Sequence, residues 1–219
     1  MKKQFAVIGL GRFGSSVAKT LYQMGFDVLA IDVNESRVQA MMNEVTHVIQ
    51  ADCTDEDVLK SIGIRNFDVV VVAIGQDIQS SILTTLIIKE LGVKRLVVKA
   101  QNELHGKVLH KIGADKVIFP ERDMGVRLAH HLISPNILDI IELSDDYSIV
   151  EMKATKKMIG KSLSQLHIRA KYGCNVIAIK GEERMNISPK AEDVIQEEDI
   201  LVIVGDNEHI QHFEMSFQE

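Results

Sequence analysis

The sequence predicts an α/β protein: a doubly wound parallel sheet followed by a small α+β domain. Three observations predict it. An apolar run, Phe5–Ile8, enters the glycine turn Gly9-Leu10-Gly11-Arg12-Phe13-Gly14, and a second run, Asp27–Asp32, ends on an acid. Short β-branched runs then alternate with helix-like segments through roughly the first 120 residues. At Ser134-Pro135 the pattern changes, and strand-like runs prevail. This reading sets a first domain at 1–134 and, at 135–219, a linker helix and a second domain.

In chain order, Phe5–Ile8 is a strand, Arg12–Met24 a helix and Asp27–Asp32 a strand. Strands are expected at His47–Gln50, Asp68–Ile74, Arg95–Lys99 and Lys116–Phe119. Helices are expected at Glu35–Asn43, Asp55–Ile62, Asp77–Leu91, Glu103–Ile112 and Glu121–Ile133, from apolar positions three and four apart. The nearly continuous apolar run Asp68–Ile74 suits a central strand covered on both faces. Beyond the acidic break Ser144-Asp145-Asp146 come a strand at Tyr147–Lys153, a short helix near Ser162–Leu166 and a strand at Cys174–Lys180. A turn at Gly181-Glu182-Glu183, a strand at Asp199–Gly205 and a terminal helix complete the chain. A domain this small gains stability by pairing with its own copy, so a homodimer is expected.

The opening unit has the chemistry of a nucleotide site on a Rossmann-like sheet. Gly9 permits a sharp turn, Gly11 lets backbone approach a phosphate, and Gly14 lets the helix pack close to the sheet. The helix N-terminus then offers unpaired N–H groups to an anion. Asp32 stands where a carboxylate accepts ribose hydroxyls, and it disfavours a 2′-phosphate. Arg12 is either a phosphate-neutralising cation or a solvated arginine on a first helical turn, and the phosphate role is favoured. Phe13, Val33 and Asn34 adjoin these residues and belong to the same candidate site.

Other strand ends converge on the carboxyl rim of the sheet. They are Asp52-Cys53, Ile74-Gly75-Gln76, Lys99-Ala100-Gln101 and Glu121. A lysine ending an apolar strand is costly unless it meets an anion, which makes Lys99 the most telling. Asp52 reads as a ligand contact or as a helix cap. Glu121 reads as a first-turn helix acid or as a carboxylate holding a cation, Mg or another, beside phosphates. His105 reads as a surface histidine or as a nucleotide contact.

Composition narrows the function classes. The 219 residues carry a formal net charge of −6, with 46% hydrophobic and 26% charged side chains. Such a chain can bury a sizeable core, and its acidity argues against nucleic-acid binding. No apolar stretch approaches the ~20 residues of a membrane span, and Met1-Lys2-Lys3-Gln4 does not begin a signal peptide, so a cytoplasmic protein without membrane insertion is expected. Cys53 and Cys174 have no metal or redox spacing. The pair His130-His131 falls on different helix faces, and His105 and His110 do not share a metal easily. None of Tyr22, Tyr147 and Tyr172 precedes a lysine by four residues, so the hydride-transfer pattern of a short-chain reductase is missing and an enzyme is not expected.

Separated blocks of the chain together resemble a known family. Gly9–Gly14, Val72-Ala73-Ile74-Gly75, Val98-Lys99-Ala100-Gln101-Asn102, Ile112-Gly113-Ala114-Asp115 and Phe119–Met124 are similar to the RCK (KTN) domain. Ile168–Gly173 and Ile187-Ser188-Pro189 resemble its C-terminal companion. The resemblance covers nearly the whole chain, and within the family it points to regulatory subunits of Ktr-type potassium transporters. It implies a cytoplasmic gating ring, an octamer of homodimers, under a membrane-embedded potassium-translocating subunit. It implies that ATP and ADP compete for the N-terminal site, with NAD(H) admitted as a further occupant. By the same resemblance Arg12 and Lys99 meet phosphates, Asp32 the ribose, and Glu121 a cation shared across the dimer. Cyclic di-AMP would bind the C-terminal dimer, with Arg169 on a phosphate and Ile168, Ala170, Asn175, Val176 and Pro189 around it. The readings left as alternatives are a small NAD-dependent oxidoreductase and a soluble nucleotide sensor without a membrane partner.

Overall fold

A computed structural model describes residues 2–134, 136–182 and 185–218, apart from the side chains of His130 and His131. Two compact units emerge, 1–122 and 123–219, whereas the sequence reading divides the chain between 134 and 135. Pro135, Glu183 of the expected turn and the His130-His131 side chains lie outside the described residues.

The first unit is built on six parallel strands: β1 (Gln4–Ile8), β2 (Asp27–Asp32), β3 (His47–Gln50), β4 (Val69–Val72), β5 (Leu96–Lys99) and β6 (Lys116–Ile118). Their order is β3-β2-β1-β4-β5-β6. The direction of winding therefore reverses between β1 and β4, and a crevice opens above the carboxyl ends at such a point. Successive strand residues face opposite sides of the sheet. Ala6, Ile8, Val70 and Val72 enter one core with Leu59, Ile88 and Leu96, while Val7, Ala30 and Val71 enter the other with Ala18 and Met41.

The crossover helices are α1 (Arg12–Gln23), α2 (Glu35–Met41), α3 (Glu56–Ile62), α4 (Ile78–Glu90) and α5 (Glu103–Lys111). Four of them open on a side-chain cap: Asn34, Asp55, Asp77 and Asn102 each accept a backbone N–H of the first turn. By contrast, α1 opens on Gly11, with no side-chain cap and no acid in its first turn. α4 is inverted for a surface helix, because Ser81, Thr84 and Thr85 are buried while Leu83 and Leu86 are exposed. The Thr84 and Thr85 hydroxyls donate to the carbonyls of Cys53 (3.2 Å) and Ser81 (2.6 Å), which satisfies both buried threonines, while the buried Ser81 Oγ makes no hydrogen bond among the described residues.

α6 (Pro120–Ile133) begins at the end of the first unit and leads into the second. The expected linker helix is replaced by a strand, β7 (Ile137–Glu142). It joins β8 (Tyr147–Lys153), β9 (Asn175–Lys180), β10 (Met185–Ile187) and β11 (Ile200–Asp206) in an antiparallel sheet ordered β10-β9-β11-β8-β7. Two short helices, α7 (Leu163–Leu166) and α8 (Ile168–Tyr172), and the terminal α9 (Asn207–Phe217) complete the unit. Its core gathers Met152, Met158, Leu201, Ile203 and Phe213. The Tyr172 ring packs edge-on against Phe213 at 5.2 Å between centroids.

Candidate functional site

The crevice above β1 and β4 is a cavity of 660 Å³. Gly9 has φ +91°, and a Cβ there would meet the Ala73 and Ile74 backbone at 2.9 Å, so the loop after β1 lies directly against the end of β4. Gly14 is tighter still: its Cβ would stand 1.9 Å from the Gly9 carbonyl oxygen. A Cβ on Gly11 would meet nothing within 4 Å, which leaves open space above the uncapped N-terminus of α1. Backbone N–H groups without a cap, facing a cavity, are a ready anion site.

Arg12, Phe13 and Lys99 line the same cavity. The Lys99 side chain is 10% exposed and forms an ion pair with Glu121, which is 67% exposed. That hydrogen bond, with the pull of the Lys99 and Arg12 charges, holds the Glu121 carboxyl below the usual range. Lys99 Nζ also lies 5.8 Å from the centre of the Phe13 ring. One end of the cavity thus collects positive charge.

Asp32 organises the middle of the site. It is buried, and its Oδ2 accepts the Leu10 N–H at 2.6 Å while Oδ1 accepts the Asn34 N–H at 2.8 Å. Arg37 approaches Oδ2 at 3.4 Å. The carboxylate therefore pins the glycine loop to the end of β2 and still lines the cavity, where its remaining lone pairs can accept a hydroxyl. Beyond it, Val33, Asp52 and Cys53 line the other end with Thr54, Ser80 and Thr84. Asp52 also accepts the Thr54 N–H at 2.9 Å. Ile74, Gly75 and Gln76 line the β4 side.

The remaining sequence-derived site residues lie back from the cavity. Gly14 packs the loop, Asn34 caps α2 and Ala100 is buried. His105 is not on the surface: it is 3% exposed, and its Nδ1 accepts the Gln101 N–H at 3.3 Å. Burial lowers its pKa, so the ring is held neutral. Residues the sequence reading missed are Arg37, Thr54, Asp77, Ser80 and Thr84. The Ser/Thr stripe of α4, Ser80-Ser81 followed by Thr84-Thr85, is the signal that could have found two of them, Ser80 and Thr84.

Both cysteines are buried. Burial, helped by the Asp52 and Asp32 carboxylates, pushes the Cys53 thiol up to about 12, and burial with Asp206 pushes Cys174 up to about 11. Thiolate is the reactive form. Both thiols are therefore expected to resist iodoacetamide at pH 8 in the folded protein and to alkylate rapidly in denaturant, as mass spectrometry would read. Rapid labelling of native Cys53 would contradict the burial described.

In the second unit, Arg169 and Ala170 are exposed on α8 and Asn175 is exposed at the start of β9. Val176 and Pro189 are half-buried, while Ile168 is part of the core. Among the described residues there is no group of three or more His, Cys, Asp or Glu placed to hold a metal, and no helix long and apolar enough to cross a membrane.

A parallel sheet in this order, with an uncapped helix after a glycine turn and an acid at the end of the second strand, defines a nucleotide-binding α/β domain. Here it precedes an antiparallel-sheet domain. The chain belongs to the TrkA family: the TrkA-N domain model matches residues 5–120 and the TrkA-C domain model residues 147–218. It is 54% identical over 212 residues to Ktr system potassium uptake protein A of Bacillus subtilis (strain 168), covering 97% of this chain and 96% of that protein. It is 53% identical over 214 residues to Ktr system potassium uptake protein C of the same organism, covering 98% and 97%. Among solved structures it is similar to the GsuK channel bound to NAD, with a TM-score of 0.52 and 25% identity over 98% of this chain and 38% of that one. GsuK bound to ADP gives a TM-score of 0.52 and 27% identity over 59% and 34%. The family resemblance carried by the sequence motifs is borne out.

Proposed function

We propose that this chain is the cytoplasmic regulatory subunit of a potassium transporter, binding ATP or ADP in the 660 Å³ crevice and controlling potassium flux through a separate membrane subunit. The observation that carries this reading is the meeting of an uncapped helix N-terminus with two cations, Arg12 and Lys99, in one cavity. A diphosphate or triphosphate satisfies all three at once. The near full-length match to Ktr potassium uptake proteins supports the transport role, and GsuK bound to ADP or to NAD supports nucleotide occupancy, NAD(H) included. A cation at Glu121, Mg or another, would complete its coordination with phosphate oxygens.

The regulatory mechanism is differential binding. A ligand shifts a two-state assembly only by the difference between its affinities for the two states, so hydrolysis is not required. The family resemblance implies homodimers within an octameric ring, and apolar side chains left exposed, Leu83 and Leu86 on α4, Leu104 on α5, and Met124, Leu128 and Leu132 on α6, leave surface on which copies of the chain can meet. Cyclic di-AMP is assigned to the second unit, where Arg169 supplies the phosphate contact beside Ala170 and Asn175.

A thermal-shift and calorimetry series on the full chain tests this. Arg12→Ala is expected to weaken ATP about tenfold or more while leaving adenosine little changed, as loss of a charge-assisted contact predicts. Equal losses for ATP, ADP and adenosine would refute the phosphate role. Arg169→Ala is expected to abolish the cyclic di-AMP shift and preserve the ATP shift. Co-purification with a membrane subunit separates a gating subunit from a free nucleotide sensor.

A further inference from the structure

Lys99 poses a problem that its partner solves only loosely. Its side chain is nine-tenths buried at the end of β5, where an ammonium needs a counter-charge. Glu121 supplies that charge from the first turn of α6, yet two-thirds of the Glu121 side chain faces solvent. The ammonium lies 3.4 Å from where a Gly75 Cβ would stand, and Lys99, Gly75, Arg12 and Glu121 all line the cavity. The anion that neutralises Lys99 thus already occupies the charged end of the crevice.

We infer that Glu121 competes with the ligand's phosphates for Lys99 and thereby acts as a specificity-determining residue, holding down the site's affinity for phosphorylated ligands while leaving adenosine unaffected. This rests on the nucleotide reading above. Displacement is cheap for the carboxylate, because it is largely hydrated and remains near the N-terminus of α6, where a negative charge is favoured. It is favourable for Lys99 only when a more highly charged group arrives. A phosphate carrying nearly two charges outcompetes one carboxylate, whereas adenosine brings nothing to the exchange. The apparent affinity of a phosphorylated ligand is reduced by the fraction of sites in which the Lys99–Glu121 pair must first open, whereas adenosine, which needs no opening, carries no such reduction.

The test is calorimetry of the full chain at low ionic strength, with ATP, ADP and adenosine, in EDTA and again in MgCl2. Glu121→Gln and Glu121→Ala are the variants. Because Glu121 is exposed, both should fold, and circular dichroism checks this. In EDTA both are expected to bind ADP and ATP about threefold to fivefold more tightly than wild type, with adenosine unchanged, as loss of a partly exposed ion pair predicts. Unchanged or weaker ADP binding in EDTA, with wild type binding ADP normally, overturns the competition and leaves the nucleotide reading standing. Weakening confined to MgCl2, without tightening in EDTA, assigns Glu121 to the cation alone and also overturns it. Failure of wild type to bind ATP or ADP at all overturns both.

Discussion

Gly14→Ala is expected to destabilise the first unit by about 3 kcal/mol or more and to abolish nucleotide binding, whereas Gly11→Ala is expected to abolish binding with little loss of stability. The two glycines lie three residues apart but meet different surroundings. A methyl on Gly14 would lie 1.9 Å from the Gly9 carbonyl oxygen and 3.0 Å from the Ala73 Cβ, and backbone cannot yield as a flexible side chain does. The loop between β1 and α1 would have to move away from β4, taking the N-terminus of α1 with it. A methyl on Gly11 meets no protein atom within 4 Å and instead enters the space where a phosphate would approach the helix N-terminus. Urea denaturation and ATP calorimetry on both variants check the pair. A Gly11→Ala protein that binds ATP like wild type would place the phosphates elsewhere.

Asp32 is expected to be the second most damaging position, and asparagine should rescue it poorly. Alanine leaves the buried Leu10 N–H and the Asn34 N–H without their acceptor, at about 1–3 kcal/mol for each unsatisfied group. Asparagine keeps the shape but offers one acceptor and one donor, so its NH2 group would face a backbone N–H. Both variants should melt well below wild type and lose ATP and NADH. Because the substitutions disturb the loop itself, the ribose contact is isolated by changing the ligand: wild type should bind 2′-deoxy-ATP about tenfold more weakly than ATP. Near-wild-type stability of Asp32→Asn would mean that its two backbone contacts carry little.

The parts of the fold legible in the sequence were those where local and long-range signals agree. β2 and β3 begin and end where the sequence predicts, β2 as an apolar run between turn residues, and the glycine turn and Asp32 both border the crevice. The sequence predicts a linker helix where β7 lies, because Ile137-Leu138-Asp139-Ile140-Ile141-Glu142 lacks a clean two-residue alternation, and the register of β7 shifts between Ile137 and Asp139. β10 is only three residues long with Asn186 at its centre, and α8 is barely more than one turn between His167 and Gly173, both at positive φ. Such segments exist through tertiary pairing rather than pattern.

The site divides in the same way. Residues on the loop after β1 and at the strand ends were legible, since parallel strands bring their carboxyl ends to one edge. Arg37, Ser80 and Thr84 reach the cavity from helices, so their position depends on how α2 and α4 pack. His105 shows the limit from the other side: it starts a helix at the right edge, yet its ring turns inward to the Gln101 N–H.

The central claim is that the crevice reads a nucleotide without consuming it. Its most direct test is titration of the full chain with ATP in a calorimeter, followed by 31P NMR of the nucleotide recovered from the complex. The expected result is saturable binding that Arg12→Ala weakens, with ATP recovered intact. Conversion of the bound ATP to ADP and phosphate, or no saturable binding at all, would contradict it.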